Sequence, residues 1–307
     1  GGGDIVIRWR SGGSAGTAGI ATQGNFLIDS GTGTITLNGY STTNFGIDFG
    51  NGQNGNLTAA IRSQSNSTTA ISIIGNTTHT GSVGVFSWDG DNNDTEITRL
   101  LIQSEGTGGI LVRGNTTSGL EGVVLYTGGQ ILASSGAINI EGNGSGTDIK
   151  FDGVAFGARQ NSTAVQGITP LSSSSSNITF TGDSYNFKSG ATSYFSSTGT
   201  VTIQPKANDF SEAFSATGLN FGSTLTGLTI GKSATGSDGT SDQNVTLAGV
   251  SINGSIAIYA NTIYQNGSLA ANSASGSVLL DGNVVLGADN ISLTAGTGGV
   301  TLGGNVS

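Results

Sequence analysis

The chain has 307 residues, of which 54 are Gly, 40 Ser, 39 Thr and 26 Asn, just over half of the total, against 2 Pro, no Cys and no Met. This composition excludes a helical domain, which needs Ala, Leu, Glu and Lys, a collagen, which needs Pro and a strict glycine triplet, and a disulfide scaffold. With 10 basic and 19 acidic residues the net charge is -9, so the basic surface that nucleic acid or anionic lipid would require is missing and neither partner is expected.

Hydrophobic residues make up 35 % of the chain and fall in short regular runs, which argues against disorder. The chain opens Gly1-Gly2-Gly3-Asp4 without Met and without a basic, then apolar, leader. That opening reads as a processed product or an interior piece of something longer. No stretch approaches the ~20 apolar residues of a membrane span, so no membrane insertion is expected. Absent Cys and Met fit an extracellular protein that avoids oxidisable side chains.

Arg8 and Arg10 flank Trp9 near one edge. A short pattern then begins at Ile35-Thr-Leu37-Asn-Gly39: apolar, any, apolar, any, Gly. Period-two alternation predicts a short strand with one buried face. The Gly reads as a turn residue that tolerates positive φ. Next, Gly50-Asn-Gly52-Gln-Asn-Gly55 matches a phosphate-cradle fingerprint, but no βαβ unit surrounds it and it reads as a corner. The pattern returns at Ile71-Ser-Ile73-Ile-Gly75. The sole His, His79, reads as an exposed turn residue that nothing nearby completes into a triad.

Residues 88–96 are the densest acidic cluster. Asp89, Asp91 and Asp94 form a weak Ca²⁺ candidate, with a solvated acidic corner as the alternative. The EF-hand pattern fails there, because Asp94 stands at the Gly position and Leu100 at the final Glu position. No other metal site and no cofactor is expected. Further copies are Val124-Leu-Tyr126-Thr-Gly128, Ile138-Asn-Ile140-Glu-Gly142 and Ile149-Lys-Phe151-Asp-Gly153. Asp148, Lys150 and Asp152 share one outward strand face, with Asn139 and Glu141 on the preceding strand. Polysaccharide lyases and hydrolases use carboxylates and a base in this way, and a solvent-facing salt-bridge ladder is the alternative.

Residues 157–176 end in five serines and predict a lateral loop. After Ile178-Thr-Phe180-Thr-Gly182, residues 206–222 predict a second excursion, where Phe210 and Phe214 at i and i+4 allow a helical turn or two. The pattern resumes at Val245, Val250, Val278 and Val300, the last two 22 residues apart. Many short strands with corners and a loosely kept period predict an all-β fold, a parallel β-helix, as one domain. At 22 to 28 residues per coil the chain would give roughly 11 to 14 coils, or about 55 to 65 Å of rod. Both ends would show unpaired strand edges, so flanking protein or self-association is the expected partner there.

Thirteen Asn-x-Ser/Thr sequons are present, at Asn56, Asn66, Asn76, Asn93, Asn115, Asn143, Asn161, Asn177, Asn244, Asn253, Asn266, Asn290 and Asn305. Composition alone gives about seven. They read either as a glycosylated surface or as favourable turn-to-strand chemistry.

The run from Ser277 to Ser307, with its Val278-Leu-Leu-Asp-Gly-Asn283 and Val300-Thr-Leu-Gly-Gly-Asn305, resembles the repeat region of filamentous-haemagglutinin-like large exoproteins of the two-partner secretion type. Ala137 to Asn143 and Ile178 to Asp183 have the same texture. The resemblance implies a right-handed β-helix rod, display at the bacterial surface or release from it, adhesive or matrix roles with host or matrix glycans as partners, and sugars on some sequons. It departs from that family's secretion domain, whose Asn-Pro-Asn motifs are absent: the only prolines are Pro170 and Pro205. The expectation is a structural and adhesive extracellular shaft, not an enzyme. Its rivals are a polysaccharide-active enzyme on the Asp148, Lys150, Asp152 face and a carbohydrate-binding surface using Tyr185, Tyr194, Tyr259 or Tyr264.

Overall fold

A computed structural model describes residues 2–12, 16–22, 24–50, 58–87, 99–126, 128–160, 163–187, 192–233 and 243–307. Short runs that alternate Ile, Val or Leu with Ser, Thr or Asn form strands because each can bury one face and wet the other. Three such strands make a coil. The first coil holds β1 (Ile5–Ser11), β2 (Ile20–Thr22) and β3 (Phe26–Asp29). The second holds β4 (Ile35–Ser41), β5 (Ile47–Phe49) and β6 (Thr58–Ser63), and the third β7 (Thr69–Thr77), β8 (Val85–Ser87) and β9 (Arg99–Ser104). The fourth holds β10 (Gly109–Thr116), β11 (Glu121–Leu125) and β12 (Gln130–Ala133), and the fifth β13 (Ile138–Asn143), β14 (Thr147–Phe151) and β15 (Ala155–Gly157). The sixth holds β16 (Ile178–Thr181), β17 (Tyr185–Phe187) and β18 (Ser193–Ser196), and the seventh β19 (Thr200–Gln204), β20 (Phe214–Ser215) and β21 (Leu219–Phe221). The eighth holds β22 (Gly227–Ile230), β23 (Val245–Leu247) and β24 (Val250–Ile252). In coils nine and ten one long strand turns the first corner: β25 (Ser255–Gln265) with β26 (Leu269–Ala271), then β27 (Ser277–Leu286) with β28 (Leu293–Thr294). β29 (Gly299–Leu302) starts an eleventh coil.

Equivalent strands stack in parallel, giving three faces. Face one runs from β1 through β22 to the first halves of β25 and β27 and then β29. Face two runs from β2 to β17, then β20, β23 and the second halves of β25 and β27. Face three runs from β3 to β21 and continues as β24, β26 and β28. The fold is therefore a parallel β-helix, all-β as the sequence predicted.

Two inward columns on face one show how the stack is built. Ile5, Ile35, Ile71, Ile110, Ile138, Ile178, Val201, Leu228, Ile256, Val278 and Val300 stand in register, each over the last. Ile7, Leu37, Ile73, Val112, Ile140, Phe180, Ile203, Ile230, Ile258, Leu280 and Leu302 form the second column in the same rungs. Apart from Ile7, Val300 and Leu302, which are exposed at the two ends, they make one continuous core with the inward residues of the other faces. Burial of these side chains supplies the main stabilisation, on the order of 2 kcal/mol each.

Four expectations change. The stack has ten complete coils and the start of an eleventh, about 50 Å long at the usual strand spacing, because the first column advances by as many as 40 residues per step. Lateral excursions consume sequence without adding rise. The pattern's glycine is mostly not a positive-φ residue: Gly128, Gly153 and Gly282 are, but Gly39, Gly75 and Gly142 are not. In coils two to four, Gly39, Gly75 and Gly114 face Gly46, Gly84 and Gly122 across the corner between faces one and two, where a Cβ would collide with the opposite backbone carbonyl. Val124 and Tyr126 point outward, and Val123 and Leu125 fill the core in their place. Residues 206–222 form no helical turn but contribute β20 and β21; Phe210 and Phe214 stack on each other at 5.2 Å and close the core beside Tyr185.

Candidate functional site

Charged side chains concentrate at the corner between faces one and two in coils four to seven. A shallow groove of about 400 Å³ lies there, lined by Arg113, Asn115, Glu141, Asn143, Thr181, Asp183 and Lys206. Arg113 and Glu141 are register neighbours on β10 and β13, so they meet directly: Arg113 Nε donates to Glu141 Oε2 at 2.6 Å. Lys206, just past β19, reaches back to Asp183 Oδ2 (3.5 Å), Asn143 Oδ1 (2.7 Å) and Asp148 Oδ2 (3.0 Å). Asp148 is buried, and its carboxylate also accepts the backbone N–H groups of Gly144 and Asp183. Buried charge persists where it is paired and hydrogen-bonded in this way. Lys232 extends the chain of contacts, donating to the carbonyls of Lys206 and Ala207.

This geometry redistributes the carboxylates expected to act together. Asp148 serves the corner. Lys150 sits 3.6 Å from Glu121 and over the Tyr126 ring at 5.6 Å. Burial alone would lower the pKa of its ammonium, but Tyr126 and Glu121 outweigh burial and raise it. Asp152 is buried at the end of β14, with its own N–H on the Leu125 carbonyl. Asp148 and Lys150 thus take different partners, Lys206 for the first and Glu121 with Tyr126 for the second.

The other candidates separate as well. Tyr185 is not an open platform: Phe187, Phe210 and Phe214 surround its ring, and its hydroxyl donates to the Gln204 carbonyl at 2.9 Å. Burial, followed by the nearby Asp148 charge, pushes its pKa well above the ordinary tyrosine value. Tyr194 and Tyr259 are half-buried, and Tyr264 is exposed. His79 is exposed and shares a hydrogen bond with Ser82 Oγ at 3.0 Å. Arg10 covers the Tyr40 ring at 4.7 Å. The Ca²⁺ candidates Asp89, Asp91 and Asp94 lie outside the described residues, as do most of the Gly50–Gly55 motif and the sequon residues Asn56, Asn93 and Asn161. Among the described residues no group of three acidic or His side chains is arranged to hold a metal.

Five of the remaining sequons make contacts between coils, in two ways. Asn76, Asn115 and Asn143 stand in one register column, and Asn115 Nδ2 donates to Asn76 Oδ1 at 2.9 Å. Asn66 and Asn177 are exposed sockets whose Oδ1 accepts the backbone N–H and hydroxyl of a Thr on the next coil, Thr107 and Thr200 respectively. Asp4 does the same for Thr34, and Asn25 for Thr58. Asn253, Asn266, Asn290 and Asn305 are also exposed, and Asn244 is half-buried.

Fold and surface define the class of protein: a parallel β-helix rod with a polar groove at one corner. The chain matches no family model, no curated protein and no solved structure.

Proposed function

We propose that this chain is a shaft segment of an extracellular or bacterial cell-surface protein of the filamentous-haemagglutinin-like kind, a structural and adhesive element whose task is reach. The observation that carries the reading is the unbroken register of two apolar columns through eleven rungs. Such a stack has mainly nearest-neighbour contacts, so length is gained by adding coils. The edges of β1 and β29 are unpaired in the sheet order, with Trp9, Val300 and Val306 exposed. They would accept a further coil, from flanking protein or a second copy. The exposed Asn66, Asn177, Asn253, Asn266, Asn290 and Asn305 are the preferred attachment points for sugar.

The test uses the purified chain on a panel of polysaccharides, with rod dimensions from solution scattering. The expected result is a rod about 50 Å long that releases no sugar. Catalytic turnover that disappears in Asp152→Asn would sink the shaft reading in favour of the enzyme. The groove by Arg113 and Lys206 favours a second reading, a glycan-binding face, in which Asn115, Asn143 and Thr181 supply hydrogen bonds to hydroxyls. Glycan-array binding lost on Arg113→Ala would support it.

A further inference from the structure

Residues 163–176 leave coil five and run back along the outside of face three. They end the run in a two-residue turn: Val165 and Ile168 exchange both backbone hydrogen bonds at 2.9 Å. Gln166 and Gly167, between them, have φ of 51° and 77°, the signs that a tight type I′ hairpin requires. The tip is apolar and has an apolar seat. Ala60, Leu101 and Leu132, on the outward side of β6, β9 and β12, are buried with Val165 and Ile168, and Leu171 packs at the margin.

Polar contacts fasten the segment to one coil after another. Gln166 Nε2 donates to Thr58 O and Oγ1 in coil two, at 3.0 and 2.7 Å. Gln103 in coil three takes the Leu171 N–H and gives its own to the Thr169 carbonyl, at 3.0 and 3.2 Å. Ser175 N–H reaches the Ser134 carbonyl beside coil four at 2.8 Å. Arg159 N–H closes the neck on the Leu171 carbonyl. One segment therefore spans three coil steps, about 14 Å of the axis.

We infer that residues 163–176 form a longitudinal brace that makes coils two to five open as one unit. A plain solenoid couples each coil to its neighbours alone and can fray coil by coil. Here, lifting coil two out of register must also break the Gln166 contacts with Thr58, and lifting coil three must tear the hairpin tip from Leu101 and break the Gln103 bonds to Thr169 and Leu171. The brace follows from coil geometry and stands whether or not the rod serves adhesion.

Hydrogen exchange read by mass spectrometry on the whole chain tests it, under conditions where each opening leads to exchange. In the native protein, peptides from β4, β7 and β10 on face one should exchange in one step with those from β6, β9 and β12 on face three. Val165→Asp, which puts a charge against Leu101, should speed all six roughly tenfold or more and split the common step, with β25 and β27 unchanged. Gln166→Ala, which removes only the far anchor, should act about threefold in the same direction and carries the test if Val165→Asp does not fold. Acceleration of β6, β9 and β12 alone would mean a mere cover, and the inference would fall. Equal acceleration everywhere, or none, would overturn it too.

Discussion

Coils two to seven and coils nine to eleven solve the same stacking problem with different means. In the first region the steps along the inward column are irregular, from 23 to 40 residues, and side chains cross between coils: Arg62 to Asp29 and Glu105, Arg113 to Glu141, Lys206 to Asp148. In the second region the step settles at 22 residues and no Lys or Arg follows Lys232, so no side-chain ion pair can form there. The core differs too. Phe151, Phe156, Phe180 and Phe195 meet in coils five and six with ring centroids 5.0 to 5.6 Å apart, whereas the Phe180 column holds Ile258 and Leu280 in coils nine and ten. A regular coil needs little beyond its ladders. A coil that sends out an excursion keeps the face-one columns and adds contacts between residues far apart in the chain.

The largest expected effect tests the core contrast. Phe180 and Ile258 occupy one column. Phe180→Ala would leave a void among three other rings and should cost about 4 kcal/mol, whereas Ile258→Val should cost about 1 kcal/mol. Urea unfolding of the two variants checks the ratio. Near-equal losses would show that the aromatic cluster is no stronger a core than the aliphatic one.

The corner gives the next contrast. Gly114 stands two residues past Val112, and an added Cβ would meet the Gly122 carbonyl and Val123 Cγ2. Ala260 stands two residues past Ile258 and is buried without a clash, because the register of β25 on β27 shifts between Tyr259 and Thr262 and bends the strand through the turn. Gly114→Ala is therefore expected to cost about 3 kcal/mol by overpacking, and Ala260→Gly about 1 kcal/mol or less. Thermal unfolding distinguishes them. A mild Gly114→Ala would mean that the corner can open as β25 does.

These contrasts mark what the sequence could convey. The inward columns were readable because alternation at period two is local: Ile138, Ile140, Val278 and Leu280 announce their own face. Glu121 to Tyr126 was not, because apolar residues fill both faces there and the alternation falls silent. The i, i+4 pair Phe210 and Phe214 has the spacing of a helix, yet its partners are Tyr185 and Phe187, more than twenty residues away. The groove was half visible: Asp148 and Glu141 were legible as charges on strands, but Lys206 arrives from 58 residues along the chain. The excursion at 157–176 was legible from its serines, but its contacts with coils two to four had no local signal, since Gln166 meets Thr58 across 108 residues. Sequence periodicity reports which way a side chain faces, and contacts between coils depend on coil lengths that it does not report.

Removing Lys206 probes the crossing contacts themselves. Lys206→Met keeps the stem and deletes the charge. Asp148 would stay buried with its two backbone donors and no cation. A loss of about 2 kcal/mol is expected, since an unpaired buried carboxylate costs more than a surface pair gains. Double-mutant analysis with Asp148→Asn should recover part of it. If Lys206→Met is neutral, the backbone donors alone hold Asp148, and coils five to seven depend on ladders as coils nine to eleven do.

The smallest effect concerns pH. Burial raises the Glu105 pKa, but hydrogen bonds from Arg62, Gln64 and Gln103 outweigh it and hold the carboxyl below its ordinary value. Its folded pKa thus lies under its unfolded one. The pair contributes stability above the unfolded value and loses it as pH falls through the folded value. Both partners are partly exposed, at 23 % and 24 %, which limits the contribution to about 1 kcal/mol. Chemical unfolding from neutral to acid pH should therefore show a shallow loss of stability that Glu105→Gln flattens. Because the contact joins coils two and three, exchange in β6 and β9 should report that loss while β25 and β27, which have no such pair, stay level. A pH step of the same size in β25 and β27 would place its origin in carboxylates outside the braced region.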